Sequence, residues 1–133
     1  MTIVCDIQYN AIEVKPMEDM ESVFSGLQQE LRRGAVVLSV LALLKQPRYG
    51  YALTEALEQK GMRIEPGTLY PLMRRLEKQG LLKSEWETSG AKPRKYYVQS
   101  AEGARVYERL CAEWADMERT MDALIEGGKG YAK

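Results

Sequence analysis

The stretch EPGTLYPLMRRLEKQG, residues 65 to 80, restricts the fold more than any other part of the sequence. Leu69, Leu72, Met73 and Leu76 recur at i, i+3, i+4 and i+7, which is one buried face of a helix. Thr68, Tyr70, Pro71, Arg74, Arg75 and Lys78 are left on the other sides. A helix that only filled a core would have no use for that outer set. Pro71 predicts that regular helical bonding starts near Thr68, because a missing N–H costs little in a first turn.

The elements around this helix follow from periodicity and punctuation. A long helical pattern begins at about Ser22, with Leu27, Leu31, Ala35, Leu38 and Leu41 in register, and ends near KQPRYG, where Pro47 and Gly50 break it. YALTEALEQKG predicts a second, shorter helix with Leu53 and Leu57 on one face and Gly61 as its stop. After the third helix, two strand-like runs, Leu82 to Glu87 and Arg94 to Gln99, flank the turn-rich TSGAKP, the pattern of a β-hairpin. The last element is a helix from Ala101 to Glu126. Its Tyr107, Leu110, Trp114, Met117, Met121 and Leu124 step by 3, 4, 3, 4, 3, a heptad seam suited to a partner helix.

Helix, helix, helix, two-stranded hairpin is the order of a winged helix-turn-helix. The expected fold class is therefore mainly α with a small β-hairpin, extended by a long C-terminal dimerisation helix. The chain divides into an N-terminal extension (1–20), a winged helix-turn-helix DNA-binding domain (21–100), the dimerisation helix (101–126) and a tail (127–133). In the extension only the alternation of Ile3, Cys5, Ile7 and Tyr9 carries a signal, and it is weakly strand-like.

Composition narrows the function. The 133 residues suffice for one domain with a real core. There is no histidine, the commonest general base and a common metal ligand. The two cysteines, Cys5 and Cys111, are far apart and form no CxxC pair, which fits a reducing compartment. No Gly-rich phosphate loop and no carboxylate pair in an apolar setting is found, so an enzyme is not expected, nor a cofactor or metal. The longest apolar run, GAVVLSVLALL (34–44), is about half a membrane span and reads as a buried helix. No leader pattern is visible, and the expected location is the cytoplasm. Formal net charge is zero, but it is unevenly spread. Residues 30–99 hold thirteen Lys and Arg against seven Asp and Glu, net +6, while residues 1–29 carry −4 and residues 100–133 carry −2.

A basic segment built around a winged helix-turn-helix points to double-stranded DNA. In such domains the third helix enters the major groove and the hairpin tip reaches the backbone or minor groove. Thr68, Tyr70, Arg74 and Arg75 offer hydroxyl and guanidinium groups to phosphates and base edges. AKPRK sets Lys92, Arg94 and Lys95 within four residues at the tip, where phosphate contact is the expected role. Tyr70 also fits a half-buried brace, and the alternation in KYY places one of its tyrosines inward. The zero total charge and the acidic ends leave a second reading open: a winged-helix dimer acting through protein contacts, with weak DNA affinity.

The motifs RGAVVLSVLALL, YGYALTEAL, PGTLYPLMRRLEKQGLL and KPRKYYVQSAEG together resemble the PadR family of bacterial transcriptional regulators over about residues 30 to 105. The pairing of GTLYPLMRRLEKQGLL with PRKYY carries most of that resemblance. Glu65 departs from the serine often found before the Pro-Gly start, and Ala91-Lys92 from the usual Gly-Arg before Pro93. The resemblance implies a homodimeric repressor on a palindromic operator, of the small subfamily with a single C-terminal dimerisation helix. It also implies that Trp114, mid-seam, lines a slot between subunits for a planar aromatic or phenolic effector. Glu118, one turn on, would favour a positive group at the mouth. A tryptophan that is only dimer core fits the same position.

Overall fold

The computed structural model describes residues 17–130. Its elements run α1 (Met17–Leu43), β1 (Arg48–Tyr49), α2 (Gly50–Gln59), α3 (Pro66–Lys78), β2 (Leu82–Glu87), β3 (Arg94–Gln99) and α4 (Ala101–Gly130). Two compact units divide the chain at Gly34 and Ala35. The winged helix-turn-helix and α4 lie in the second. The expected extension, with Cys5 and its alternating Ile3, Ile7 and Tyr9, lies outside the described residues as far as residue 16.

The apolar patterns of α2, α3, the hairpin and the second half of α1 meet in one core. Val40 and Leu41 near the end of α1 and Leu44 just after it, Leu53 and Leu57 of α2, Leu69, Met73 and Leu76 of α3, and Leu82 and Tyr97 of the sheet form a single buried cluster closed by Ile64. The exposed carbonyls at the end of α1 are taken up by later chain. Gln99 donates its backbone N–H to Leu44 O (2.7 Å) and its side-chain Nε2 to Leu41 O (2.6 Å), and Arg48 Nε donates to Leu43 O (2.9 Å). Those bonds satisfy helix-end carbonyls and dock β1 and β3 together.

Two glycines stop helices by the same geometry. Gly61 (φ 90°) and Gly80 (φ 86°) adopt the left-handed backbone that other residues resist. After α2, Gly61 N–H bonds Glu58 O and Met62 N–H bonds Leu57 O; after α3, Gly80 N–H bonds Glu77 O and Leu81 N–H bonds Leu76 O. Both are Schellman ends. The second turns the chain straight into the hairpin. Ser100 then starts α4: its hydroxyl donates to Gly80 O (2.6 Å) and accepts the Gly103 N–H (2.9 Å). Gly103 is required there, since a Cβ would sit 2.0 Å from Leu81 O.

The hairpin strands lie where the sequence places them, Leu82–Glu87 and Arg94–Gln99. The sheet, however, has three strands in the order β1-β3-β2, all antiparallel, with Tyr49 opposite Tyr96 and Tyr96 opposite Glu85. A two-residue strand leaves no alternation to read, so β1 passed for helix-breaking punctuation. Three helix ends also differ. The first helix begins at Met17, before Ser22, and the carboxylates Asp19 and Glu21 near its start suit a positive helix N-terminus. The third begins at Pro66, with Leu69 N–H already bonding Glu65 O (2.9 Å). Pro66 fills the first helical position, and Pro71 therefore costs a bond in the second turn. The last helix runs to Gly130, past the expected end at Glu126; Gly127 keeps a helical backbone and does not act as a stop. Residues 131–133 of the expected tail lie outside the described residues.

Among the described residues no helix is long and apolar enough to cross a membrane, and no three His, Cys, Asp or Glu residues cluster to hold a metal.

Candidate nucleic-acid interface

α3 carries its two faces as its sequence divides them. Leu69, Met73 and Leu76 are buried and Leu72 is half-buried, while Thr68, Pro71, Arg74, Arg75 and Lys78 are exposed. The first turn is open: nothing lies within 4 Å of where a Cβ would stand on Gly67. Glu65, just before it, faces Arg63 at 3.8 Å, both side chains over 70% exposed, so the pair adds little stability. Its charge is offset by a neighbouring guanidinium at the helix start.

Tyr70 does not share the full exposure of its neighbours. It is half-buried, with its ring against the backbone of Gly50; a Cβ on Gly50 would stand 2.6 Å from Tyr70 Cε1. The ring therefore sets the approach of α2 to α3, and only the absence of a side chain at Gly50 permits it. Bracing is its visible role here.

On the hairpin the three cations separate. Lys92 is exposed at the tip, between the strands. Arg94 is exposed, with its guanidinium 4.4 Å from the centre of the Tyr49 ring. The Tyr49 hydroxyl donates to Glu87, which also accepts the Ser89 hydroxyl (3.1 Å). That stack ties the first residue of β3 to β1 on one side, and the Tyr49 hydroxyl ties the last residue of β2 to the same ring. The hydrogen bond from Tyr49, then that from Ser89, holds the Glu87 carboxyl below its ordinary pKa, and the same bond raises the pKa of Tyr49. Tyr96 donates to Glu85 (2.8 Å) on the same face, and that bond raises its pKa.

Lys95 points to the opposite face. Its side chain is 32% exposed, its Nζ is 3.9 Å from Glu77 of α3, and it lies over the Trp86 and Tyr97 rings at 5.8 and 5.4 Å. Alternation along β3 explains the split, since Arg94 and Lys95 must point to opposite sides of the strand. It also buries Tyr97 and leaves Tyr96 half-exposed, which resolves the KYY alternation. The partners Tyr49, Glu77 and Glu87 were not singled out in the sequence, because only strand register and the α3–wing packing bring them to these cations. Beside them Pro47, Tyr49, Ala52, Trp86, Glu87 and Tyr96 border a cleft of about 710 Å³.

α4 places the seam as periodicity implies, and the seam divides. Tyr107 and Leu110 are half-buried against the core, with Lys45 Nζ 5.0 Å from the Tyr107 ring centre. Trp114, Met117, Met121 and Leu124 are exposed, as is Glu118. Cys111 is an exposed free thiol.

Comparison with known proteins agrees with this architecture. The model of a family described as the transcriptional regulator PadR-like family matches residues 37–109. A crystal structure of a PadR family transcriptional regulator from Eggerthella lenta is 48% identical with a TM-score of 0.78, over 82% of this chain and 97% of that one. A transcriptional regulator from Clostridium thermocellum is 32% identical with a TM-score of 0.66, over 70% of this chain and 95% of that one. Among curated proteins, a transcriptional regulator of Mycobacterium tuberculosis is 40% identical over 70 residues, 52% of this chain and 65% of that protein. The span that the family model matches takes in the core, α3 and the wing, and stops before Trp114.

Proposed function

Because this chain belongs to the PadR-like family of transcriptional regulators, whose members regulate through DNA, we propose that it is a homodimeric repressor. In this reading α3 enters the major groove of a palindromic operator and the wing tip meets the flanking backbone. One observation carries it: α3 spends its apolar stripe entirely on the core and leaves Thr68, Arg74 and Arg75 exposed on one helix, next to a hairpin ending in Lys92 and Arg94. Thr68 and Arg75 serve the backbone, Arg74 reads a base edge, and Tyr70 acts mainly by fixing α3 on α2. Lys92 and Arg94 are the phosphate contacts of the wing.

The exposed run Trp114, Met117, Met121 and Leu124 supplies the dimer contact, together with the stripe Met20, Phe24, Leu27 and Leu31 of α1. That stripe steps by 4, 3, 4 and matches the periodicity of the α4 seam. Two copies joined this way present two recognition helices, and operator half-sites about 34 Å apart are the expected spacing. Two Trp114 rings near the two-fold axis form the walls of a slot for a planar aromatic effector, with Glu118 at its mouth. The effector biases the angle between subunits and so relieves repression.

A mobility-shift assay with the DNA upstream of the chain's own gene, against random DNA of equal length, tests the reading. Specific retardation that weakens steeply with salt supports it. Equal, weak retardation of both DNAs would shift the assignment to a dimer acting through protein contacts. For the effector, a planar aromatic compound should quench tryptophan fluorescence and lower operator affinity in the wild type, and both effects should vanish in Trp114→Ala. Trp86 borders a cleft of its own, so the experiment needs Trp86→Phe as the parent chain.

A further inference from the structure

One carboxylate of α3 reaches both strands of the wing. Glu77, in the last turn of the helix, accepts the Ser84 hydroxyl of β2 at 2.5 Å through Oε2 and faces Lys95 Nζ of β3 at 3.9 Å through Oε1. The Glu77 and Lys95 side chains are only about a third exposed. Lys95 is held further by the Trp86 and Tyr97 rings below it. Ser84 is paired with Tyr97, and Trp86 with Lys95, so these four residues form two adjacent rows on one face of the hairpin.

The rest of the hairpin offers little other anchorage on that face. Leu82 and Tyr97 are buried at its base, but Trp86 on that face and every residue of the tip from Thr88 to Pro93 are exposed. On the opposite face Tyr49 ties Glu87 and Arg94 to β1, but that anchorage lies within the sheet and does not hold the hairpin to α3, so the hairpin can still tilt against the helix. From Ser84 to Thr88 the strand covers roughly 13 Å at about 3.3 Å per residue, so a tilt of about 10° moves the tip by roughly 2 Å. Hydrogen bonds to phosphates tolerate much less than that.

The geometry points to Glu77 as a positioning residue: it fixes the angle between α3 and the wing so that both meet the same duplex, and it engages Lys95 in that task instead of leaving it to the phosphates. This rests on the reading above, in which α3 and the wing bind DNA together. Glu77 itself touches no DNA. Its carboxylate would repel phosphates, so a benefit from its presence cannot come from direct contact.

A double-mutant cycle between Glu77 and Lys92 tests the inference, since Lys92 is at the tip, outside the Glu77 cluster. Independent sites give effects that multiply in affinity. If Glu77 positions the wing, Lys92→Ala weakens binding several-fold and lowers the salt slope in the wild type, yet changes neither in Glu77→Ala. Glu77→Gln, which still accepts the Ser84 hydroxyl but has lost the charge facing Lys95, should fall between the two. It also serves as the test variant if Glu77→Ala does not fold. Lys95→Met should reproduce the loss of tip contact without lowering the salt slope further in the Glu77→Ala background. Multiplying effects of Glu77→Ala and Lys92→Ala would overturn the proposal. Amide hydrogen exchange on the free protein supplies a readout without DNA: exchange across residues 82–99 should speed up in Glu77→Ala while the α1–α2 core stays protected. Unchanged exchange in the hairpin overturns the inference even if DNA binding itself is confirmed. Absence of any DNA binding by the wild type, with exchange altered as stated, would instead remove the functional reading and leave the clamp.

Discussion

α3 and α4 are both amphipathic helices, and their apolar faces end in opposite conditions. In α3, Leu69 and Met73 are 0% exposed and Leu76 2%; in α4, Trp114 is 47% exposed, Met117 54%, Met121 46% and Leu124 66%. The first face is satisfied within one copy of the chain, so its polar side is free to be a functional surface. The second face is left over after the core is complete, and its heptad spacing matches that of another helix. The same kind of sequence pattern thus serves folding in one place and, in the proposed dimer, association in the other. The boundary within α4 falls between Leu110, which packs on the core, and Trp114.

That boundary gives the largest expected effect. Ending the chain after Ala112 keeps Tyr107 and Leu110 on the core and removes the exposed seam. The product should be a folded monomer by sedimentation and circular dichroism, with operator affinity reduced about 10²–10⁴-fold, because the two half-sites are no longer linked. A truncated chain that still dimerises would relocate the interface to α1 alone.

Next comes a matched pair of methionines. Met73→Ala should destabilise folding by about 2–5 kcal/mol, measured by urea unfolding, with a cavity left in the core. Met121→Ala in the full chain should instead raise the dimer dissociation constant, so that any effect on unfolding depends on protein concentration. If Met121→Ala changed folding stability independently of protein concentration, the contrast between the two helices would fail.

Arg74→Ala tests the polar face of α3. The ratio of operator to random-DNA affinity should fall by about 1–3 kcal/mol, the range for loss of one base contact. Equal losses on both DNAs would make Arg74 a backbone contact like its neighbour. Arg94→Ala is expected to weaken binding to every sequence alike and to flatten the slope of log affinity against log salt by about one unit. Its stack on Tyr49 adds a control: Tyr49→Leu should reproduce part of the loss while leaving the arginine charge in place.

The smallest effect concerns pH. Glu87 has a lowered pKa through the hydrogen bonds from Tyr49 and Ser89, so its folded form releases its proton more readily than the unfolded chain. The stabilisation is present in full above the ordinary carboxylate range near 4.5 and is lost as the pH falls through the lower folded value. Glu87→Gln should therefore flatten the acid limb of the stability curve slightly, measured by thermal unfolding between neutral and acid pH. An unchanged acid limb would mean that the Tyr49–Glu87 bond adds nothing in solution.

Much of the architecture was legible because its signals are local. The 3.6-residue spacing of Leu69, Leu72, Met73 and Leu76, the stop at Gly61, and the alternation of β2 and β3 each follow from a few neighbouring residues. Element order then implied the wing and the helix beside it. Three things were not local. β1 is two residues long and exists only because β3 passes beside it. Lys95 belongs to the same basic cluster as Arg94 in sequence, but a strand sends neighbours to opposite faces, and only the position of α3 supplies Glu77 to meet one of them. Tyr70 lies with Thr68 and Arg74 on the non-apolar side of its helix, yet the glycine at position 50 opens a gap in α2 that takes its ring.

By itself, then, the sequence determined where the four helices and the two hairpin strands run, which faces are apolar and where positive charge gathers, because those depend on periodicity along the chain. Tertiary structure alone decided which cations are already engaged and which remain open. A charge's availability depends on what lies across from it, and the residues across from Arg94 and Lys95 are 45 and 18 positions away, at Tyr49 and Glu77.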